Sequence, residues 1–231
     1  MFGLGRPARP KVVAFDIIGT VFSMEPLRPR LEELGLPGTA LERLYAETLR
    51  DSMALAAAGG FAPFVTVMKS ALNQILAEHE LTATDEELTQ TLRLMKALPP
   101  HPDAPKAFET LRRSGIRIVA LSNGAAAATH ALFDHAGMTE LVDQILSVDD
   151  VRLSKPRPEV YLYAVEQARV QPGEAMLVAT HPWDINGAKA AGLLGGYLCR
   201  GRPYPDAIMK APDLEGDTLE EVARAIVSMK G

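Results

Sequence analysis

Lys11-Val12-Val13-Ala14-Phe15-Asp16-Ile17-Ile18-Gly19-Thr20 is the stretch on which the reading of this chain turns. An apolar run drives straight into an aspartate, and a Gly-Thr pair follows three residues later. Unbroken apolar character is what a strand buried on both faces requires. In an open α/β sheet, ligands bind outside the carboxyl ends of such strands. Asp16 therefore stands where a carboxylate nucleophile would be placed, ahead of a turn that lets backbone approach a ligand. Asp and Gly also favour plain turns, so this segment alone leaves both readings open.

The rest of the chain supplies the frame. Four more short apolar runs, Ile116–Leu121, Gln144–Val148, Ala175–Ala179 and Gly195–Cys199, alternate with stretches of helical periodicity. That alternation predicts an α/β fold with a doubly wound parallel sheet. Phe22 to Leu98 differs: it holds no convincing strand and reads as amphipathic helices, as in Leu41-Leu44-Tyr45-Thr48-Leu49 and Val65-Met68-Leu72-Ile75-Leu76. Thr84-Asp85-Glu86-Glu87 has the form of a capping box. Pro99-Pro100-His101-Pro102 makes a stiff return to the sheet. The expected organisation is a core of residues 1–22 and 99–231, interrupted by a helical cap at 23–98.

Composition narrows the function classes. The 231 residues are 47% hydrophobic, enough for a sizeable core, and the net charge of −5 argues against a nucleic-acid partner. No apolar run reaches membrane-spanning length. Met1 to Pro10 lacks the apolar centre of a signal peptide. The single cysteine, Cys199, forbids an internal disulfide and reads as a small buried hydrophobe near a strand end. A cytoplasmic protein is expected.

Three further strand ends carry chemistry. Ser122-Asn123-Gly124 opens a helix at Ala125–Ala136, bringing a hydroxyl, an amide and free N–H groups to a helix N-terminus, although both are also ordinary caps. Lys155 precedes a helix start marked by Pro156 and Pro158. A cation there opposes the helix dipole, which points to a neighbouring negative charge. Thr180-His181-Pro182-Trp183-Asp184 brings the chain's one tryptophan and a second acid.

In this order the segments Asp16–Thr20, Ser122-Asn123, Lys155-Pro156 and Asp184 resemble the four motifs of the haloacid dehalogenase superfamily, over nearly the whole chain. That family has a Rossmann-like core with a cap inserted after the first motif. Val160-Tyr161 and Trp183-Asp184 are most similar to its 2-haloacid dehalogenase branch. The resemblance implies a hydrolase in which Asp16 attacks the halogen-bearing carbon of a small 2-halo acid. Water would then hydrolyse the aspartyl ester. It implies catalytic roles for Asp16, Lys155 and Asp184, no metal and no cofactor, and leans towards a homodimer. Lys155 and Asn123 would orient Asp16, Thr20 and Ser122 would bind the substrate carboxylate, Tyr161 would fix the bound acid, and Asp184 would orient Lys155 or the hydrolytic water. Phe64, Trp183 and Ile18 are expected to form an apolar wall before Asp16, at the seam of cap and core.

The magnesium phosphatases of the superfamily carry an acid where this chain has Ile18 and a metal ligand where it has Thr180. Without a cation, a phosphate beside Asp16 would be repelled by about 4 kcal/mol per charge pair at 4 Å. Three departures from the dehalogenase branch remain. Ile18 replaces an aromatic residue, His181 an asparagine, and an ungapped alignment puts Ala46 where the branch carries its halide-binding arginine. Arg43 and Arg50, one turn away on the same helix, and His181 and Trp183 are the candidate substitutes. A phosphatase of a small metabolite and a non-catalytic anion- or partner-binding relative are the alternatives.

Overall fold

The computed structural model describes residues 7–205 and 208–230; most of the N-terminal stretch read above, Met1 to Arg6, lies outside them. Strand β1 (Val12–Phe15) forms from the opening apolar run and ends one residue before Asp16. Helices α1 (Leu27–Glu33), α2 (Ala40–Ala57), α3 (Phe64–Glu78) and α4 (Asp85–Arg93) follow without an intervening strand. Thr84 caps α4 as its sequence predicts: its hydroxyl accepts from the Glu87 N–H, and the Glu87 carboxylate accepts from the Thr84 N–H. The chain then alternates through α5 (Ala104–Arg113), β2 (Arg117–Ser122), α6 (Ala126–His135), β3 (Gln144–Ser147), α7 (Pro158–Ala168), β4 (Ala175–Ala179), α8 (Pro182–Ala190), β5 (Leu194–Leu198), β6 (Leu214–Gly216) and α9 (Leu219–Ser228).

The described strands make one parallel sheet in the order β3-β2-β1-β4-β5-β6. The chain leaves β1 towards β2 and β3, then crosses to β4 on its other side, so the order reverses beside β1. A crevice opens at such a switch point. In register, Phe15 lies opposite Ala120 and Val178, which sets Asp16 between the ends of β2 and β4.

The two-residue period of β1 divides the core. Val13 and Phe15 join one apolar cluster with Phe108 of α5 and Val222 of α9, and this cluster runs on without a break into Leu44 of α2 and Met68 and Leu72 of α3. Val12 and Ala14 join the other, with Val160 and Ala164 of α7 and Ile185 of α8. The return segment is tied to the exit from β1: the His101 N–H donates to Val21 O at 2.8 Å and the Ser23 N–H to Pro99 O at 2.9 Å.

Two expectations need correction. The edge strand β6 has no counterpart in the sequence reading, because Leu214-Glu215-Gly216 is too short and too polar to show a period. Cys199 is half-buried rather than buried, its Sγ 3.7 Å from the Glu215 carboxylate. Among the described residues no helix is long and apolar enough to cross a membrane.

Candidate active site

All four strand-end segments converge on Asp16. Its carboxylate is 5% exposed and both oxygens are held. Oδ1 accepts from Lys155 Nζ at 3.1 Å. Oδ2 accepts from Thr20 Oγ1 at 2.7 Å and lies 3.0 Å from His181 Nδ1. An ionised carboxylate only accepts, so the histidine proton sits on Nδ1 in this contact. Burial alone would raise the Asp16 carboxyl, but the Lys155 charge and the His181 and Thr20 hydrogen bonds outweigh it and hold it well below the ordinary carboxylate range.

Lys155 has no exposed surface and is shared: its Nζ also donates to Asp184 Oδ2 at 2.9 Å. Burial works against the ammonium, yet the two carboxylates raise it above its usual value. The cation that ran against the dipole of α7 thus serves two anions. Asp184 lies in the first turn of α8, where the helix dipole favours an acid. Burial nonetheless pushes its carboxyl up, against the Lys155 charge. Its Oδ1 accepts from Tyr161 Oη at 2.5 Å. One turn along α8, Gly187 allows this approach, since a Cβ there would lie 2.6 Å from Tyr161 Oη. Among the described residues no three His, Cys, Asp or Glu side chains cluster to hold a metal ion. Both carboxylates already share the Lys155 ammonium.

The loop that follows Asp16 is gripped from outside. Gly19 takes φ +83°, a conformation that favours glycine, and a Cβ there would meet the His181 ring at 3.3 Å. Three successive carbonyls accept long-range bonds: Ile18 O from Tyr45 Oη of α2 at 3.4 Å, Gly19 O from His101 Nε2 at 3.2 Å, and Thr20 O from Arg200 Nη2 at 3.1 Å. Arg200 is anchored in turn by Asp103 at 3.1 Å.

Several expected contacts turn out differently. The Thr20 hydroxyl bonds Asp16 and accepts from the Thr180 N–H at 3.1 Å, so it is already engaged within the loop. Asn123 does not touch Asp16; its Oδ1 accepts from the Lys155 backbone N–H at 3.1 Å and braces the lysine loop. Ser122 Oγ accepts from the Gly124 N–H at 2.9 Å while lining the seam. Tyr161 is fully buried, with its hydroxyl donating to Asp184. Asp184 has no exposed surface either, and it accepts from Lys155.

Arg50 is the residue the structure does not bring to the site. It is exposed, with Nε 2.7 Å from Asp51 Oδ1. Arg43 is likewise engaged with Glu47 and Glu78, and Ala46 is exposed. His181 lies between Tyr45, at 5.5 Å between ring centroids, and Trp183, stacked at 5.3 Å. Trp183 therefore backs His181. Ile18 and Phe64 do line an apolar cavity of about 200 Å³, together with Met68, Met95, Leu132 and Ser122, between α3, α4, α6 and the end of β2.

The geometry has a counterpart among known proteins. A model of the haloacid dehalogenase-like hydrolases matches residues 10–192. The chain belongs to that family. Among curated relatives of this haloacid dehalogenase-like hydrolase, the (S)-2-haloacid dehalogenase of Xanthobacter autotrophicus is 28% identical over 236 residues, covering 96% of this chain and 92% of that one. The (S)-2-haloacid dehalogenase of Pseudomonas sp. strain YL is 26% identical over 230 residues, covering 96% of each. A solved structure of the Xanthobacter L-2-haloacid dehalogenase, with chloropropionic acid covalently bound, superposes with a TM-score of 0.87 at 26% identity, over 95% of this chain and 99% of that one.

Tyr45, His101 and Arg200 are contacts that the sequence reading missed. Arg200 had the available signal, since it follows the end of β5 as Asp16 follows β1. Tyr45 sits inside an apolar helical stripe and reads as core.

Proposed function

We propose that this protein hydrolyses a small 2-halo carboxylic acid without a metal, through a covalent ester on Asp16, beneath a cap formed by residues 23–98. The observation that carries the reading is the state of Asp16: a buried carboxylate kept ionised by a lysine it shares with Asp184. No acid stands two residues on, where Ile18 lines an apolar cavity. An ionised, poorly hydrated carboxylate is a competent nucleophile for displacement at carbon.

Oδ1 faces an ammonium with no exposed surface, whereas Oδ2 faces a partly exposed histidine. On this reading Oδ2, which the buried Thr20 hydroxyl also holds, is the oxygen that meets substrate. It forms a bond to the halogen-bearing carbon as the carbon–halogen bond breaks and halide leaves with the electron pair. Lys155 then lies against the ester carbonyl, where charge develops when water adds. Halide bound by an arginine of α2 is not part of this proposal, because Arg43 and Arg50 are engaged elsewhere.

The test is a single turnover with enzyme in excess over 2-chloropropionate in heavy-oxygen water. Label should enter the Asp16 carboxylate, and the first lactate formed should carry none. Label in that first product would make Asp16 a general base instead. Chelator should leave halide release unchanged; loss of release on chelation would overturn metal independence.

A further inference from the structure

We infer that His181 is the proton shuttle of the ester-hydrolysis step, taking a proton from the attacking water and returning it to the departing product oxygen. This rests on the proposed covalent route and assigns it a residue that touches the reacting atoms. Three observations converge. His181 Nδ1 is 3.0 Å from Oδ2, the oxygen that leaves with the product. Its ring packs against Tyr45 and Trp183 and lies over Gly19, where a Cβ would meet it at a tight 3.3 Å. The other titratable side chains of the cluster are unsuited to shuttle a proton at Oδ2. Lys155 lies on Oδ1 with its ammonium raised by two carboxylates. Asp184 is fully buried behind that lysine, and burial holds the Tyr45 phenol protonated, its value raised further by Asp16 and Asp184.

The step balances as follows. Alkylation converts Oδ2 from an anion into an ester oxygen, which no longer demands a proton on Nδ1. The ring is 14% exposed, so the step moves its proton by way of solvent from Nδ1 to Nε2 and leaves a lone pair on Nδ1. Water oxygen adds to Cγ of Asp16 while its proton passes to Nδ1, and the charge gathers on Oδ1 against Lys155. The adduct collapses by breaking the Cγ–Oδ2 bond. Nδ1 gives the proton to Oδ2, which departs as the hydroxyl of the 2-hydroxy acid. Asp16 is left as a carboxylic acid and ionises to solvent, as its depressed value requires. One histidine nitrogen serves as base and then acid on adjacent oxygens, which is the ordinary economy of acid–base catalysis.

The experiment compares the wild-type protein with His181→Gln and His181→Ala on racemic 2-chloropropionate, following halide and intact protein mass. Wild-type protein should turn over. The two variants should release about one halide per active site and then stall, with the lactyl ester accumulating on Asp16. Ester decay should slow by about 100-fold or more, the usual worth of one acid–base group. Added imidazole should speed decay of the ester on His181→Ala, which a merely structural role would not do. Variants that show slow halide release with no ester would overturn the shuttle, leaving His181 as a partner in alkylation only. Heavy oxygen from solvent appearing in the first lactate released by wild-type protein in excess would overturn the covalent reading itself, and the shuttle with it.

Discussion

Replacing Lys155 with methionine removes the one charge that Asp16 and Asp184 share, at nearly constant volume. Both carboxylates are buried, at 5% and 0% exposure. Breaking such a pair costs about 3–5 kcal/mol because it strands a charge in the interior. At about 1.4 kcal/mol per pKa unit, that equals roughly 2–4 units of upward movement in a carboxyl. The sign of the pH dependence then reverses. In the wild type the folded Asp16 lies below its unfolded value, so its contribution is present above about pH 4 and is lost as pH falls. In Lys155→Met a folded carboxyl lies above its unfolded value, so its contribution is present in acid and is lost as pH rises. The stability gap between the two proteins should widen from pH 4.5 to pH 8. At pH 8 it should reach a Tm difference of about 6–20 °C for a chain of this size. Urea unfolding at the two pH values is the assay, read alongside halide release, which should fall at least about 1000-fold. Equal gaps at both pH values would refute the shared-cation account.

Asp16→Asn should keep the fold by circular dichroism and lose about 10⁴-fold or more in kcat, since the amide keeps the shape without the nucleophilic anion; measurable turnover would point to another nucleophile. Arg50→Ala should leave kcat/KM within about twofold, because its guanidinium pairs with Asp51 on the surface; a large rise in KM would return Arg50 to the site. Tyr161→Phe strips Asp184 of its short hydrogen bond and should cost about 1–3 kcal/mol in chemical unfolding. It should leave KM unchanged because the ring never meets substrate, and a KM effect would contradict its burial.

The sheet was legible because strands buried on both faces write themselves as apolar runs, and each useful strand end carried a polar residue out of place. Asp16 after Phe15 and Lys155 before a helix both conflict with their surroundings, and that conflict is the signal. Helices α2 and α3 showed through their 3.6-residue period. What stayed hidden depended on partners distant in sequence. Thr20 and Tyr161 were expected to face substrate, yet whether a hydroxyl faces a ligand or a neighbouring carboxylate is decided by packing. Tyr161 turns to Asp184 because Gly187 lets α8 come close, a fact no local pattern contains. Arg50 followed from helix periodicity alone, and periodicity says nothing about an adjacent Asp51 ready to hold the guanidinium.

The grip on Ile18, Gly19 and Thr20 has a bearing on when the protein becomes reactive during its synthesis. Its three donors, Tyr45, His101 and Arg200, lie far apart along the chain, and the last of them follows β5. Lys155 and His181 likewise come long after Asp16. A nascent chain that has made β1 and helices α1 to α4 holds Asp16 and Tyr45, but neither the lysine that offsets the burial of that carboxylate nor the other two ties on its loop. Until the carboxyl-terminal third of the chain has been added, the aspartate is an ordinary hydrated carboxylate. The order of elements thus delays the poorly hydrated, fixed form of that carboxylate until the walls around it are standing.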